Sequence, residues 1–379
     1  MSDAIRIDAI ELRIVALPLI EPFVAAHGTT TVRTAAILRL LGPDGEGWGD
    51  CAALPEATYT EESVDGAFAV LRDELGPRLL AADAITAAGV RALFGSVRGQ
   101  PMARASIELA LLDAECTRDG RSLATRFSEA PRPMVPAGVA IGLLDSPDRT
   151  AAAALARVAE GYGRIKVKIA PGRDVEVVRA VRAAVGPDIE VMVDANGSYT
   201  LDDAARLAEL DEFGLTSIEQ PLAADSLADH AALALRITTP ICLDESLTSV
   251  ARTLEAVELG ACSVVCVKAP RFGSWLDAAE VLDHCARIGV DAWIGGMLDT
   301  GLGRLANLAL AAHPAATLTG DLSATARFFT EDICAEVVID GGPGAGVIAV
   351  PTAAGFAAAL DPAGLDRHTI TITTLRRGA

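Results

Sequence analysis

The chain has 379 residues, 51% of them apolar and 22% charged, a composition too apolar and too complex for disorder or a fibre. Its 32 basic residues face 51 acidic ones, and the net charge of -19 argues against nucleic acid and anionic membrane surfaces as partners. No stretch reaches the roughly 18 uninterrupted apolar residues of a membrane span, and the start Met1–Asp8 has charges where a signal peptide needs an apolar centre. Seven cysteines, odd in number and without a Cys-x-x-Cys pair, read as buried reduced thiols in a cytoplasmic protein.

In chain order, Ile10–Val15 and Thr34–Leu40 read as strands, and Glu46–Asp50 follows the turn-like Gly42-Pro43-Asp44-Gly45. Met102–Asp113 has helical spacing, so residues 1–132 are predicted to form an α+β domain. From about residue 135 a short apolar run, ended by a polar residue or glycine, alternates with an Ala/Leu/Arg/Glu-rich helical stretch. The run ends fall at Gly142, Lys168, Asp194, Glu219, Asp244, Lys268, Gly295 and Gly320, in steps of 24 to 27 residues. Eight strands at one period, with a helix after each, predict a closed parallel (β/α) barrel over residues 133–330. No Gly-rich phosphate loop follows the first strand, which argues against an open doubly wound sheet. Strand-like patterns resume at 336–339, 347–351 and 369–372, and the segment 331–379 is expected to return to the first domain.

Parallel strands of a barrel end on one face, where active sites are built. Lys168, Asp194, Glu219, Asp244 and Lys268 end five consecutive strands. Three carboxylates that close cannot all stay ionised without a cation, and all-oxygen ligation suits Mg²⁺ or Mn²⁺ rather than zinc. Only three of the 32 basic residues are lysines, Lys166, Lys168 and Lys268, and all lie in or end β-branched runs. Arginine serves most surface roles of lysine but cannot give up a proton near neutral pH, so these lysines are candidates for acid/base chemistry. Two lysines flanking a metal-bound carboxylate suit removal of the proton α to that carboxylate, because a divalent ion stabilises the enediolate that forms. Cys262 and Cys266, four apart, are assigned to packing.

The runs Lys166-Val167-Lys168, Val193-Asp194-Ala195-Asn196, Ile218-Glu219-Gln220-Pro221, Leu243-Asp244-Glu245-Ser246, Lys268 and Gly295-Gly296-Met297-Leu298-Asp299 resemble those of the enolase superfamily. Within its muconate lactonizing enzyme subgroup, the chain is most similar to the o-succinylbenzoate synthase / N-succinylamino acid racemase family. The resemblance implies an α+β capping domain over a modified TIM barrel, (β/α)7β, with Mg²⁺ (or Mn²⁺) on Asp194, Glu219 and Asp244. It also implies Lys168 and Lys268 as the acid/base pair, Lys166 lowering the pKa of Lys168 by like-charge repulsion, and cap loops near 20–30 and 50–60 closing over the substrate. Where the family commonly has Lys-Pro-Gly-Arg, a final glutamate, a serine and a phenylalanine, this chain has Lys268-Ala269-Pro270-Arg271, Asp299, Ala140 and His27.

Several residues admit two readings. Asn196 orients the ligand shell or fills a left-handed turn, and Gln220 supports that shell or a neighbouring strand. Glu245 joins the site, or strand alternation turns it away from Asp244; Arg271 binds a substrate carboxylate or lies at the surface, and His27 contacts the substrate or is a loop residue. Gly296, Met297 and Asp299 line the substrate pocket or pack the barrel. The expected activity is o-succinylbenzoate synthesis, N-succinyl (N-acyl) amino acid racemisation, or both, on a small-molecule carboxylate. A muconate-type cycloisomerase, a dipeptide epimerase and a non-catalytic metal-binding barrel are the alternatives. The composition permits a homo-oligomer.

Overall fold

The computed structural model describes residues 4–25 and 28–378. Three antiparallel strands, β1 (Ala9–Ala25), β2 (Gly28–Gly42) and β3 (Gly45–Cys51), open the chain. The helix Pro101–Asp119 packs across this sheet, its buried side including Met102, Ile107, Leu109, Leu111 and Leu112. Contact with β3 is backbone to backbone: a Cβ at Gly47 would lie 1.9 Å from Ala110 O, and one at Gly49 2.0 Å from Ser106 O. Any larger residue at either position would push the helix off the sheet.

After the short β4 (Met134–Pro136) come seven parallel strands: β5 (Gly138–Ile141), β6 (Arg164–Lys168), β7 (Glu190–Asp194), β8 (Ile218–Glu219), β9 (Ile241–Leu243), β10 (Val264–Val267) and β11 (Asp291–Ile294). They pair strictly in chain order, with helices between them. Each strand is buried on both faces, hence the near-continuous apolar runs in the sequence. The eighth predicted strand, ending at Gly320, is an extended segment without regular strand structure. It still closes the barrel: Leu318 and Asp321 donate N–H bonds to Ala292 O and Ile294 O (3.1 and 3.0 Å), and Gly138 donates to Leu322 O (3.1 Å). The chain therefore has the (β/α)7β arrangement, with the eighth position filled irregularly because Gly138 and Gly320 meet there. A Cβ on Gly138 would stand 2.2 Å from Gly320 O.

The C-terminal segment divides. β12 (Val347–Ala349) pairs with β4 beside the barrel entry rather than with the cap, and residues 336–339 form no strand. β13 (Thr369–Arg376) does reach the first sheet and lies antiparallel to β1 at its edge. Among the described residues, no helix is long and apolar enough to cross a membrane.

Cap and barrel are tied through a buried carboxylate. Glu108 accepts from Ser274 Oγ (2.8 Å) and from the N–H groups of Trp275 and Leu276, the first residues of the barrel helix Trp275–Ile288. Burial pushes its carboxyl up to about 7 against those donors. A carboxyl raised in the folded state lends stability below its unfolded pKa that is lost as pH climbs through the folded value. Glu108→Gln keeps an acceptor for both N–H groups and cannot ionise. Its unfolding free energy relative to wild type should therefore rise by about 1–3 kcal/mol between pH 5 and 8. Urea unfolding of both proteins at the two pH values checks this; parallel pH dependences would refute it.

Candidate active site

The carboxyl ends of β6 to β10 bring Lys168, Asp194, Glu219, Asp244 and Lys268 together on one rim, because chain order is spatial order in a parallel barrel. All five are buried, at 9%, 1%, 0%, 1% and 6% exposure, so every charge must be balanced locally. Lys168 Nζ donates to Asp194 Oδ2 (2.6 Å) and to Asn196 Oδ1 (2.6 Å). At the other end, Lys268 Nζ donates to Asp244 Oδ2 (2.8 Å) and to the Tyr59 hydroxyl (2.7 Å). The two lysines thus hold the outer carboxylates of the row, with Glu219 between.

Lys166, one layer down on β6, lies 2.9 Å from Glu219 Oε2, 3.4 Å from Asp194 Oδ2 and 2.5 Å from Asp321 Oδ2. Burial alone would lower its pKa, but Asp321, Glu219 and Asp194 raise it well above the ordinary lysine value. The resemblance implies Lys166 as a like-charge neighbour of Lys168; in the structure three carboxylates lie around its charge. Arg164 completes the group, donating to Asp321 Oδ1 (2.7 Å).

Burial and then Asp194 raise Glu219 well above the usual carboxylate range. Asp244 moves the other way: burial opposes it, but Arg271 and Lys268 hold it well below that range. Arg271 is a buried residue of the short helix Ala269–Phe272 and not a loop cation. Its Nη1 donates to Asp244 O, and its Nη2 to the Tyr59 hydroxyl. The same Nη1 lies 2.8 Å from Asp244 Oδ1 without hydrogen-bond alignment, so that buried oxygen receives no hydrogen bond.

Asn196 is a turn residue bonded to Asp194. It is left-handed (φ 42°), its N–H donates to Asp194 Oδ1 (3.0 Å), and its Nδ2 donates to Glu245 Oε1 (2.8 Å). Glu245 faces the site and is not turned away from Asp244, because β9 stops at Leu243 and strand alternation stops with it. Gln220 supports the following loop: its Oε1 accepts from the N–H groups of Asp244 (3.0 Å) and Ser246 (3.1 Å).

Above the carboxylates lies a pocket that opens to solvent. Gly296, Met297 and Asp299 line it, as do Ala140 and the unpredicted Asp321, Tyr59, Phe23 and Phe328. Asp299 also braces its own loop, accepting from Met297 N (3.1 Å) and Asn307 Nδ2 (3.0 Å). Phe23 from the cap meets Phe328 edge-on at 5.9 Å, forming an apolar wall with Leu54. His27 lies outside the described residues. Asp321 follows the run end at Gly320 by one residue, so the strand-end rule extended by one position finds it. Tyr59 had no signal beyond its loop.

The family described as enolase C-terminal domain-like matches residues 149–364, and the mandelate racemase / muconate lactonizing enzyme N-terminal domain matches residues 9–125. An N-succinylamino acid racemase from Amycolatopsis sp is 46% identical over 364 residues, 96% of this chain and 98% of the relative. An o-succinylbenzoate synthase from Geobacillus kaustophilus is 38% identical over 368 residues, 97% of this chain and 96% of the relative. Among solved structures, an enolase superfamily member from Listeria innocua superposes with a TM-score of 0.92 at 34% identity, covering 99% of this chain and 100% of that one. The muconate lactonizing enzyme of Pseudomonas fluorescens gives 0.87 at 27% identity, over 97% and 100% of the two chains. The chain belongs to the mandelate racemase / muconate lactonizing enzyme family of the enolase superfamily and is an enzyme of its lyase and isomerase branch.

Proposed function

We propose that this enzyme removes the proton α to a carboxylate in a cytoplasmic dicarboxylate substrate, racemising N-succinyl amino acids, forming o-succinylbenzoate, or both. The observation that carries the reading is the pair of buried ammonium groups, Lys168 and Lys268, set at opposite ends of the carboxylate row beneath one pocket. All seven cysteines are free and buried, which supports the compartment.

Asp194, Glu219 and Asp244 fit a hard divalent cation. They offer only carboxylate oxygen, Asp244 Oδ1 is buried without a hydrogen bond, and ionised Glu219 is costly beside Asp194. When bound there, Mg²⁺ or Mn²⁺ would supply positive charge to the substrate carboxylate and to the enediolate. The chain's own residues do the rest. A neutral lysine Nζ on one face takes the α-proton, and the C–H electrons pass into the carboxylate as the enediolate forms. The ammonium on the other face returns a proton to the same carbon, inverting it. In the dehydration, Lys168 takes the α-proton and hands it to the departing β-hydroxyl on the same face, leaving a C=C bond and water.

Charge supports an anionic substrate. The ion-pair group joins Arg164, Lys166, Lys168, Lys268 and Arg271 to Asp194, Glu219, Asp244, Asp321 and the neighbouring Glu245, five charges of each sign. A divalent cation adds two positive charges and the neutral lysine of the reacting state removes one, so an anionic acylated substrate is favoured over a zwitterionic dipeptide. Asp321, shared by Lys166 and Arg164, is no free anchor for an α-ammonium. This favours acylated over free amines and disfavours dipeptide epimerisation.

Proton NMR in D₂O with Mg²⁺, across N-succinyl, N-acetyl and free amino acids and dipeptides, tests the reading, with o-succinylbenzoate formation assayed in parallel. Loss of the α-proton signal is expected in the N-succinyl set. Exchange confined to dipeptides would overturn the proposal.

Tyr59 is expected to tune Lys268. Its hydroxyl takes hydrogen bonds from Lys268 and Arg271 and donates to Asp244 Oδ2 (2.8 Å). Tyr59→Phe keeps the ring and loses these charged hydrogen bonds, together about 1.5–3 kcal/mol, so turnover should fall about 10- to 100-fold. Steady-state kinetics should put the loss in kcat more than in KM.

A further inference from the structure

The inside of the barrel beneath the carboxylates is rich in sulfur. Met192, Cys242 and Cys266 pack with Val264 and Trp293 in a buried cluster separate from the main core. Cys262, four residues before Cys266, precedes β10 and belongs to the main core. Cys266 lies on β10, two residues before Lys268. A Cβ at Gly295 would lie 2.7 Å from both Cys266 Sγ and Lys268 Cε, so the thiol and the lysine stem run side by side across β11. One ligating atom from each of Glu219, Asp244 and Cys266 lies within 4.8 Å of the others, and all three residues are buried. A single ion with bonds of about 2.0–2.6 Å spans such a set with small side-chain adjustments.

Two of the three candidate carboxylates thus also lie beside a thiol. Hard cations prefer the all-oxygen set, and soft cations prefer thiolate. We propose that Glu219, Asp244 and Cys266 form a second coordination mode of this centre, one that takes thiophilic divalent cations such as Cd²⁺ or Zn²⁺ and excludes Mg²⁺ while they are bound. The proposal rests on the reading of Asp194, Glu219 and Asp244 as the metal centre. When the sulfur–metal bond forms, the thiol proton leaves to solvent and nothing is oxidised or reduced. An ion held by Cys266 is drawn toward the sulfur cluster and away from Asp194 and the pocket, so it inhibits until a chelator or excess Mg²⁺ displaces it.

The test titrates the chelator-stripped full chain with CdCl₂ and follows thiolate-to-cadmium charge-transfer absorption in the ultraviolet. A band saturating at one ion per chain and suppressed by excess Mg²⁺ is expected. Cys266→Ser should abolish it and lower the Cd²⁺/Mg²⁺ affinity ratio about 10- to 100-fold. Cys285→Ser, on the outer helix Trp275–Ile288, should leave the band intact. A band that persists in Cys266→Ser, or that Mg²⁺ does not suppress, overturns the proposal. Mn²⁺ binding, followed by electron paramagnetic resonance in the same preparations, separates the two failures. No bound Mn²⁺ in wild type defeats the metal centre itself, whereas bound Mn²⁺ without a cadmium–sulfur band defeats only the second mode. Retained Mn²⁺ binding in Cys266→Ser shows that the variant is folded.

Discussion

Lys268→Arg should abolish racemisation while leaving proton exchange intact for one enantiomer of the substrate. Arginine keeps the positive charge beside Asp244 but cannot deprotonate near neutral pH, so the face served by Lys268 loses its base. Lys168, at the other end of the row, still works on its own face. In D₂O the enantiomer whose α-proton faces Lys168 should exchange it with retention, and the opposite enantiomer should not react. Lys168→Arg should give the mirror-image result and should also stop dehydration, which draws on Lys168 alone. The loss at the affected face should be about 10²–10⁴-fold, the usual contribution of a positioned acid/base group. Chiral chromatography beside the NMR time course reads inversion and exchange separately. Racemisation retained in either variant would remove that lysine from the mechanism. Alanine variants guard against misplacement of the bulkier guanidinium, because they lose the base without adding volume to a buried site.

This prediction could be framed from the sequence because of one property of the fold. In a parallel barrel, residues 24 to 27 apart in the chain become neighbours in space, so five charged run ends announce a cluster before any coordinate is known. The same logic fails wherever a side chain arrives from another layer or a local rule stops. Tyr59 comes from a cap loop, and nothing in its neighbours Thr58 and Thr60 signals a contact with a residue 209 positions away. The burial of Arg271 goes unread because a four-residue helix leaves too little periodicity to reveal it. Glu245 keeps two readings in the sequence because alternation does not say where β9 ends; the strand stops at Leu243, and Glu245 joins Asn196. Cys266 packs as its apolar run indicates, but its nearness to Glu219 and Asp244 comes from barrel curvature, which leaves no mark on hydropathy.

The closure of the barrel shows a related limit. The period of the run ends locates the eighth segment correctly, but period alone does not say whether the segment forms regular strand. Two glycines at the seam, Gly138 and Gly320, let the backbones approach so closely that the ladder is completed by single hydrogen bonds. Asp321 emerges from that seam into the pocket, which is how a residue outside any regular strand comes to balance Lys166.

The second large effect expected is at Glu219, where function and stability should separate. With no exposure, and with Asp194 adding to the cost of its charge, its ionised form is the least comfortable of the three carboxylates. Glu219→Gln removes that charge with little change of shape, and Lys166 keeps Asp321 at 2.5 Å and Asp194 at 3.4 Å as partners. In chelator the variant should therefore unfold at the same temperature as wild type or higher, since loss of one member of a group with other counter-ions leaves no buried charge unpaired. Saturating Mg²⁺ should reverse the order. Wild type gains about 2.7 kcal/mol when the ion is at a hundred times its dissociation constant, and a variant that no longer binds it gains nothing. Turnover should be lost with the metal. Thermal unfolding of both proteins in chelator and in Mg²⁺ gives the four numbers needed. A variant markedly less stable than wild type in chelator would mean that Glu219 serves the fold through Lys166, and the conflict between its burial and its charge would then not reflect selection for a cation.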